Sequence, residues 1–517
     1  MLHTRSSRPS RRGRHRRSLA SVCAVALSAA IACSGSEPAA LATPPNLLLV
    51  TIDTLRADRL GCYGGPADSG RFLCSLGEAG TRYEWAIATA PHTAPSIASV
   101  LTGLYPSAHG VRQTAASYLP REIATLPELL RDAGYTTAAF VSNPVLERSR
   151  QLDQGFGTYD QRMPRRERNR PGFVERDARS ATDAALAWAQ TSAETPWFLW
   201  VHFQDPHGPY DPPDAPPAID APGGTVLPVL TQDESGYGGI PTYQALPGVF
   251  TREAYEQRYL DEIRFLDAQL RRLVEGLDRL GIPPSILLTA DHGEAFGEDG
   301  FFFAHGHSVG LDQIRVPLIW RPSPPTRPHV VSQPVSLVDV APTLLVAAGA
   351  SAPPGWPGLP LPAEDPDEGP ADDAPRFVFA EHGRRAAVVT TGMYYARDHG
   401  AFEDDDSEEY ADDESDGSGG SSEAELDAPT GSDRDESEAY ADGPATESSA
   451  ASFPPRTARL PADGRMPAYV PADGGESPLE SELVRFLVEA DRKAPGATHE
   501  VVPEELRARL RALGYGN

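Results

Sequence analysis

Asn46-Leu47-Leu48-Leu49-Val50-Thr51-Ile52-Asp53 is the stretch from which the fold of this chain can be read. An apolar run this short, closed by a carboxylate, reads as a strand buried on both faces, as strands of parallel sheets are. A second stretch of the same design, Ser285-Ile286-Leu287-Leu288-Thr289-Ala290, ends in Asp291-His292-Gly293-Glu294. Residues at the carboxyl ends of parallel strands line the crevice of an open α/β sheet, where ligands bind. Asp53, Asp291 and His292 can therefore converge on one point. Two carboxylates and an imidazole, joined by a hydroxyl, suit a divalent cation.

Thr93-Ala94-Pro95-Ser96, followed by Leu101-Thr102-Gly103, supplies the hydroxyl. Pro95 suits the first turn of a helix, and Ser96 to Leu101 continues without breakers. Thr93 is thus expected just ahead of a helix N-terminus, where free backbone N–H groups attract anions. Threonine there can be no more than a cap. With Asp53, Asp291 and His292 in the same chain, it reads as the nucleophile of a metal-dependent ester-cleaving enzyme.

Six segments, in this order, carry a resemblance: Asn46 to Gly64, Thr93 to Gly110, Leu152 to Phe156, His202 to Tyr210, Asp291 to Glu294 and His305 to Leu318. From Pro45 to Val346 the chain resembles the sulfatases and their phosphate-cleaving relatives in the alkaline phosphatase superfamily. The resemblance implies an α/β fold, a mixed and mostly parallel sheet flanked by helices, with a small C-terminal subdomain. It implies that Asp53, Asp291, His292 and Thr93 surround one divalent metal ion, with manganese, zinc, calcium and magnesium all open. It also implies that Thr93 is the nucleophile and that His207 and His307 contact the substrate's anionic group; in the mechanism this suggests, they hold the anion or protonate the leaving group, and His305, on the same loop as His307 after Phe301-Phe302-Phe303, is a further candidate substrate contact. His307 stands where many sulfatases have a lysine.

The departures are as informative. Sulfatases of the usual kind carry Cys-x-Pro-Ser-Arg, whose cysteine is oxidised to formylglycine; here Thr93 and Ile97 take the places of the cysteine and the arginine. Thr54 stands where a second aspartate is usual. No formylglycine can form at a threonine. A formylglycine hydrate expels sulfate with its second hydroxyl, which threonine lacks, whereas a phosphorylated threonine can be attacked in line at phosphorus. Phosphate or phosphonate esters are therefore the expected substrates, by hydrolysis or by transfer. Sulfate-ester hydrolysis is the alternative, and a non-catalytic lipoprotein binding an anionic ligand is a second one.

Weighed singly, the other candidates divide. His207 lies on a turn-rich loop after the apolar run Trp197 to Phe203, where function is common. His202, inside that run, reads as a satisfied interior histidine. Arg56, Asp58 and Arg315 read as ion-pairing residues that orient loops, and the roles of His92 and His109 stay open.

Residues 1–33 read as a signal peptide: seven arginines between Arg5 and Arg17, then an apolar run from Leu19 to Ala32 too short to span a bilayer comfortably. Ala30-Ile31-Ala32-Cys33 looks like a lipobox, which would make Cys33 a lipidated N-terminus and the protein an exported lipoprotein anchored on the periplasmic or cell-surface side of a membrane. Ordinary signal cleavage remains the other reading. A tether, 34–44, follows, then a catalytic domain over 45–346 and the start of a C-terminal subdomain over 347–402. Residues 403–450 hold 19 acidic residues against Arg434 alone and few large apolar ones, so this insert is expected to stay disordered. Residues 451–517 close the chain with helices near Leu479 to Ala490 and Pro503 to Leu513. A net charge of −27 argues against nucleic-acid partners. The expected partner is an anionic ester, whether small molecule, glycan or lipid head group. Cys62 and Cys74 can pair in an oxidising compartment, or Cys62 can simply be buried in its Gly-Cys-Tyr-Gly turn.

Overall fold

The computed structural model describes residues 44–112, 117–166, 169, 174–194, 196–231, 235–362, 375–398, 455–461, 465–471 and 478–493. The signal peptide with Cys33, most of the tether, the acidic insert and the expected Pro503 to Leu513 helix lie outside the described residues.

Leu47–Ile52 is the centre of a nine-stranded sheet, and all six of its residues are buried. It pairs in parallel with Trp197–Phe203 on one side and with Ser285–Ala290 on the other. Thr136–Phe140 and Thr158–Asp160 continue the parallel part beyond Trp197–Phe203. On the other flank Arg315–Arg321 runs antiparallel between Ser285–Ala290 and Thr81–Ile87, making the sheet mixed. Both faces are covered by helices, the longest being Arg252–Arg279. Such coverage explains why the central strands are continuous apolar runs rather than alternating ones.

Register is what builds the crevice. Ile52 is level with Phe203 and with Ala290, so Asp53 and Asp291, each one residue further on, emerge side by side. Asp53 N–H donates to Phe203 O at 2.9 Å and Asp291 N–H to Ile52 O at 3.1 Å, extending the ladder to the carboxylates themselves. Thr51 is level with His202 in the same way.

A smaller five-stranded antiparallel sheet begins with Val378–His382, Arg385–Thr390 and Met393–Asp398 and carries the helix Pro478–Lys493. Phe379 stacks on Phe486 of that helix at 4.2 Å. Tyr394 O–H donates to Val309 O at 2.9 Å, Leu311 N–H donates to Tyr469 Oη at 2.6 Å, and Arg456 pairs with Asp299 at 2.9 Å. The small sheet is thereby tied to the segment that carries His305 and His307.

Cys62 and Cys74 form a disulfide, with Cα atoms 5.6 Å apart and a sequence separation of 12. Closing a loop of this length restricts the unfolded chain by about 3 kcal/mol. Replacing both cysteines by serine is therefore expected to lower the unfolding free energy by about that amount, read from chemical denaturation. Coincident transitions for the two proteins would show that the bond contributes nothing.

Candidate active site

Asp53, Asp291 and His292 are fully buried, and each offers a ligand atom within 4.8 Å of those of the other two. His292 Nδ1 lies 2.9 Å from Gly293 O, an acceptor only, so the proton sits on Nδ1 and the Nε2 lone pair is left facing the carboxylates. Nε2 is 3.6 Å from Asp53 Oδ1 and 3.7 Å from Asp291 Oδ2. Gly293 is needed here because a Cβ on it would stand 2.1 Å from Asp312 O.

Thr93 opens the helix Thr93–Thr102, with His92 rather than Thr93 at the cap position, and all ten residues of that helix are buried. Its Oγ1 is 3.2 Å from His292 Nε2 and donates to Asp53 Oδ1 at 3.5 Å. Ser96, one turn on, donates through Oγ to Asp291 O at 2.6 Å and locks the helix start to the strand end. The hydroxyl therefore lies at the mouth of the three-residue group.

The donor set fits a divalent cation on two observations. Asp291 Oδ2 is buried with no hydrogen-bond partner, and so is Thr54 Oγ1. Thr54 holds a left-handed backbone, φ 53°, which is strained for a β-branched residue and brings its N–H to Asp291 Oδ1 at 3.2 Å. Burial, then the charge of Asp53, pushes the Asp291 carboxyl well above the usual carboxylate range. Burial works in the same direction on Asp53, but His207 above all, with His202 and His292, outweighs it and holds that carboxyl below its ordinary value. Burial lowers His292 to about 3, which keeps the imidazole neutral, the form in which histidine binds metals.

Around this centre the structure gathers a cluster of histidines. His305 packs on His292 at 4.5 Å between ring centroids and on His207 at 5.3 Å. His305 Nδ1 lies 3.1 Å from Glu294 Oε1, and Tyr210 O–H donates to Glu294 Oε2 at 3.1 Å. His307 goes elsewhere: its ring stacks on Phe301 at 3.6 Å and its Nε2 accepts from Gln313 Nε2 at 2.7 Å. Two residues along an irregular loop put the side chains in different environments, and spacing alone cannot tell them apart. Gly306, between them, has φ 82°, and a Cβ there would stand 2.1 Å from the His92 ring.

His305→Ala is therefore expected to reduce kcat by roughly 100-fold or more, the scale of a lost proton donor, with unchanged metal content. His307→Ala is expected to cost much less. Equal losses in steady-state kinetics would give both histidines a part in the reaction.

Two residues near the site, Asn143 and His382, have no role in the sequence reading, and others take on more than it gave them. Asn143 Nδ2 donates to Asp53 Oδ2 at 2.7 Å while its Oδ1 accepts from Val145 N at 3.0 Å. It follows the Thr136–Phe140 strand, so the rule that strand ends face the crevice would have found it. His202 is more than an interior residue: Thr51 Oγ1 bonds its Nδ1 at 2.9 Å, and its Nε2 points to Asp53 Oδ2 at 3.7 Å. His382, from the small sheet, meets His92 at 4.6 Å. Arg56 does orient loops, engaging Asp58 and Glu298 at 2.9 Å and Glu294 O at 2.8 Å. His109 is held by Ser99 at 3.0 Å.

A family model described as Sulfatase matches residues 45–350. The chain is similar to the uncharacterized sulfatase YidJ of Escherichia coli (strain K12), 25% identical over 354 residues that cover 61% of this chain and 70% of that one. It is also similar to a choline-sulfatase of Rhizobium meliloti (strain 1021), 28% identical over 362 residues, covering 59% of this chain and 68% of that one. In fold it is similar to the phosphonate monoester hydrolase of Silicibacter pomeroyi, with a TM-score of 0.51 and 20% identity over 68% of this chain and 86% of the other.

Proposed function

The chain belongs to the sulfatase family of ester hydrolases in the alkaline phosphatase superfamily, and on that premise we propose that it cleaves phosphate or phosphonate esters with Thr93 as the nucleophile. The observation that carries this is the position of Thr93 Oγ1 between Asp53 Oδ1 and His292 Nε2, at 3.5 and 3.2 Å. A hydroxyl placed only to cap a helix has no reason to be aimed at a three-ligand group.

Asp53, Asp291 and His292 would hold one divalent cation, with Thr93 beside it. Bound there, the cation lowers the pKa of a nearby hydroxyl and draws charge from ester oxygens. The residues of the chain do the rest. Thr93 Oγ gives its proton to solvent water and bonds to phosphorus as the bond from phosphorus to the alcohol oxygen breaks. His207 or His305 gives a proton to the departing oxygen, and Glu294 with Tyr210 keeps the His305 ring turned toward the site. A water or an alcohol then attacks the phosphorylated Thr93, which recovers its hydroxyl. Water makes the enzyme a hydrolase and an alcohol makes it a transferase.

Sulfate-ester hydrolysis is the second reading, favoured by the names of the sequence relatives. A screen of the purified protein, loaded in turn with manganese, zinc, calcium and magnesium, against aryl phosphate diesters, phosphonate monoesters and aryl sulfates tests both. The phosphorus substrates are expected to turn over fastest. Rapid sulfate release with Thr93 unmodified would reverse the order of the two readings.

A further inference from the structure

Trp200, Thr51, His202 and Asp53 form a row on one face of two neighbouring strands, and all four are fully buried. Alternate residues of a strand share a face, so Trp200 and His202 project together from Trp197–Phe203, as Thr51 and Asp53 do from the end of Leu47–Ile52. Thr51 is level with His202 across the pair. The row therefore leads from the interior of the sheet to a carboxylate of the site.

Trp200 Nε1, which can only donate, gives its proton to Thr51 Oγ1 at 2.9 Å. The Thr51 hydroxyl has one proton of its own, and the partner left for it is His202 Nδ1, also at 2.9 Å. Nδ1 therefore accepts, and the ring proton of His202 sits on Nε2. The opposite tautomer would leave a buried hydroxyl proton without an acceptor and turn a lone pair toward a carboxylate, both costly away from water. Nε2 is buried with no hydrogen-bond partner and faces Asp53 Oδ2 at 3.7 Å. That is beyond hydrogen-bond reach, yet the N–H remains the positive end of a fixed dipole where the dielectric is low. The same oxygen accepts from Asn143 Nδ2 at 2.7 Å. Both donors act on Oδ2, and Oδ1 is the oxygen turned to Thr93 and His292, at 3.5 and 3.6 Å. His202 and His292 thus stand at the two oxygens of Asp53 in opposite tautomers, one presenting an N–H and the other a lone pair.

We propose that His202 is a positioning residue for Asp53: fixed as its Nε2–H tautomer by Thr51 and Trp200, it holds Oδ2 together with Asn143 and so presents Oδ1 to the divalent cation. The proposal rests on the reading of Asp53, Asp291 and His292 as the cation site. His202 is not itself a ligand in this arrangement, because the atoms close enough to share an ion belong, among the described residues, to those three.

Two measurements on the full chain test it. In 15N NMR of metal-free protein labelled at histidine, the His202 ring, assigned by its absence from His202→Gln, is expected to carry its proton on Nε2; a proton on Nδ1 would overturn the proposal. Titration calorimetry with manganese, zinc, calcium and magnesium chlorides reads affinity. His202→Leu is expected to weaken the cation that wild type holds most tightly by about 10- to 100-fold, the scale of a lost partner behind a metal ligand. His202→Gln, whose amide can bring an N–H to the same place, should stay within about threefold of wild type. A role in packing alone would reverse that order, since leucine suits a buried face better than glutamine. The reversed order, or equal affinities in all three proteins, would overturn this proposal and leave the cation site standing. Wild type that binds none of the four cations would overturn the cation reading and this proposal with it. Should His202→Leu fail to fold, the wild-type tautomer and the affinity of His202→Gln still decide.

Discussion

Thr93→Ala is expected to lower ester turnover by at least about 10³-fold, as removal of a covalent nucleophile does, while the protein still binds its divalent metal. The two effects separate because Asp53, Asp291 and His292 stay in place when the hydroxyl goes: they are held by strand ends and by bonds of their own, not by Thr93. Thr93→Ser should keep a measurable part of the rate, since it retains the hydroxyl and loses only a methyl group. Rapid quenching during turnover of a phosphate ester should yield one phosphoryl group on the peptide that contains Thr93. Wild-type rates in Thr93→Ala, or a phosphoryl group on another residue, would remove Thr93 from the chemistry.

Asp291→Asn is expected to move activity and stability in opposite directions. Turnover should fall by at least about 10³-fold because a charged ligand is lost. In the metal-free protein, however, the same change should raise the melting temperature near pH 8. The sign follows from linkage. A carboxyl whose pKa is raised on folding stabilises the native state fully below its ordinary value, 3.8 for aspartate, and loses that contribution as pH rises toward the raised value. Burial also raises Asp205 and Asp312 to about 7 and Glu294 to about 8. The metal-free protein should therefore lose stability from about pH 4 to about pH 8. His92 and His292, lowered to about 3 by burial, act oppositely: their contribution is present above 6.5 and is lost as pH falls toward 3. Adding the metal at pH 8 should restore stability in wild type and not in Asp291→Asn. Melting curves with chelator and with metal at pH 5, 6.5 and 8 read all of this. A lower melting temperature in metal-free Asp291→Asn at pH 8 would show that Asp291 supports the fold and is not held there at a cost.

The sequence by itself determined the strands and the residues at their ends. Leu47–Ile52 and Ser285–Ala290 are legible because strands buried on both faces need unbroken apolar side chains, and the polar residue that ends each run marks the edge of the core. That reasoning reached Asp53, Asp291 and His292. Pro95, suited to a first turn, and the uninterrupted run after it located Thr93 at a helix start. Tertiary structure alone decided which groups meet. His305 and His307 are two residues apart, yet one ring packs on His292 and the other on Phe301, because the path of the loop between strands depends on what it packs against. His202 became a neighbour of Asp53 only through the pairing of Thr51 with it across two strands. Strand identity is a property of local patterning, whereas contacts between distant segments depend on register and packing, for which a single chain carries no local signal.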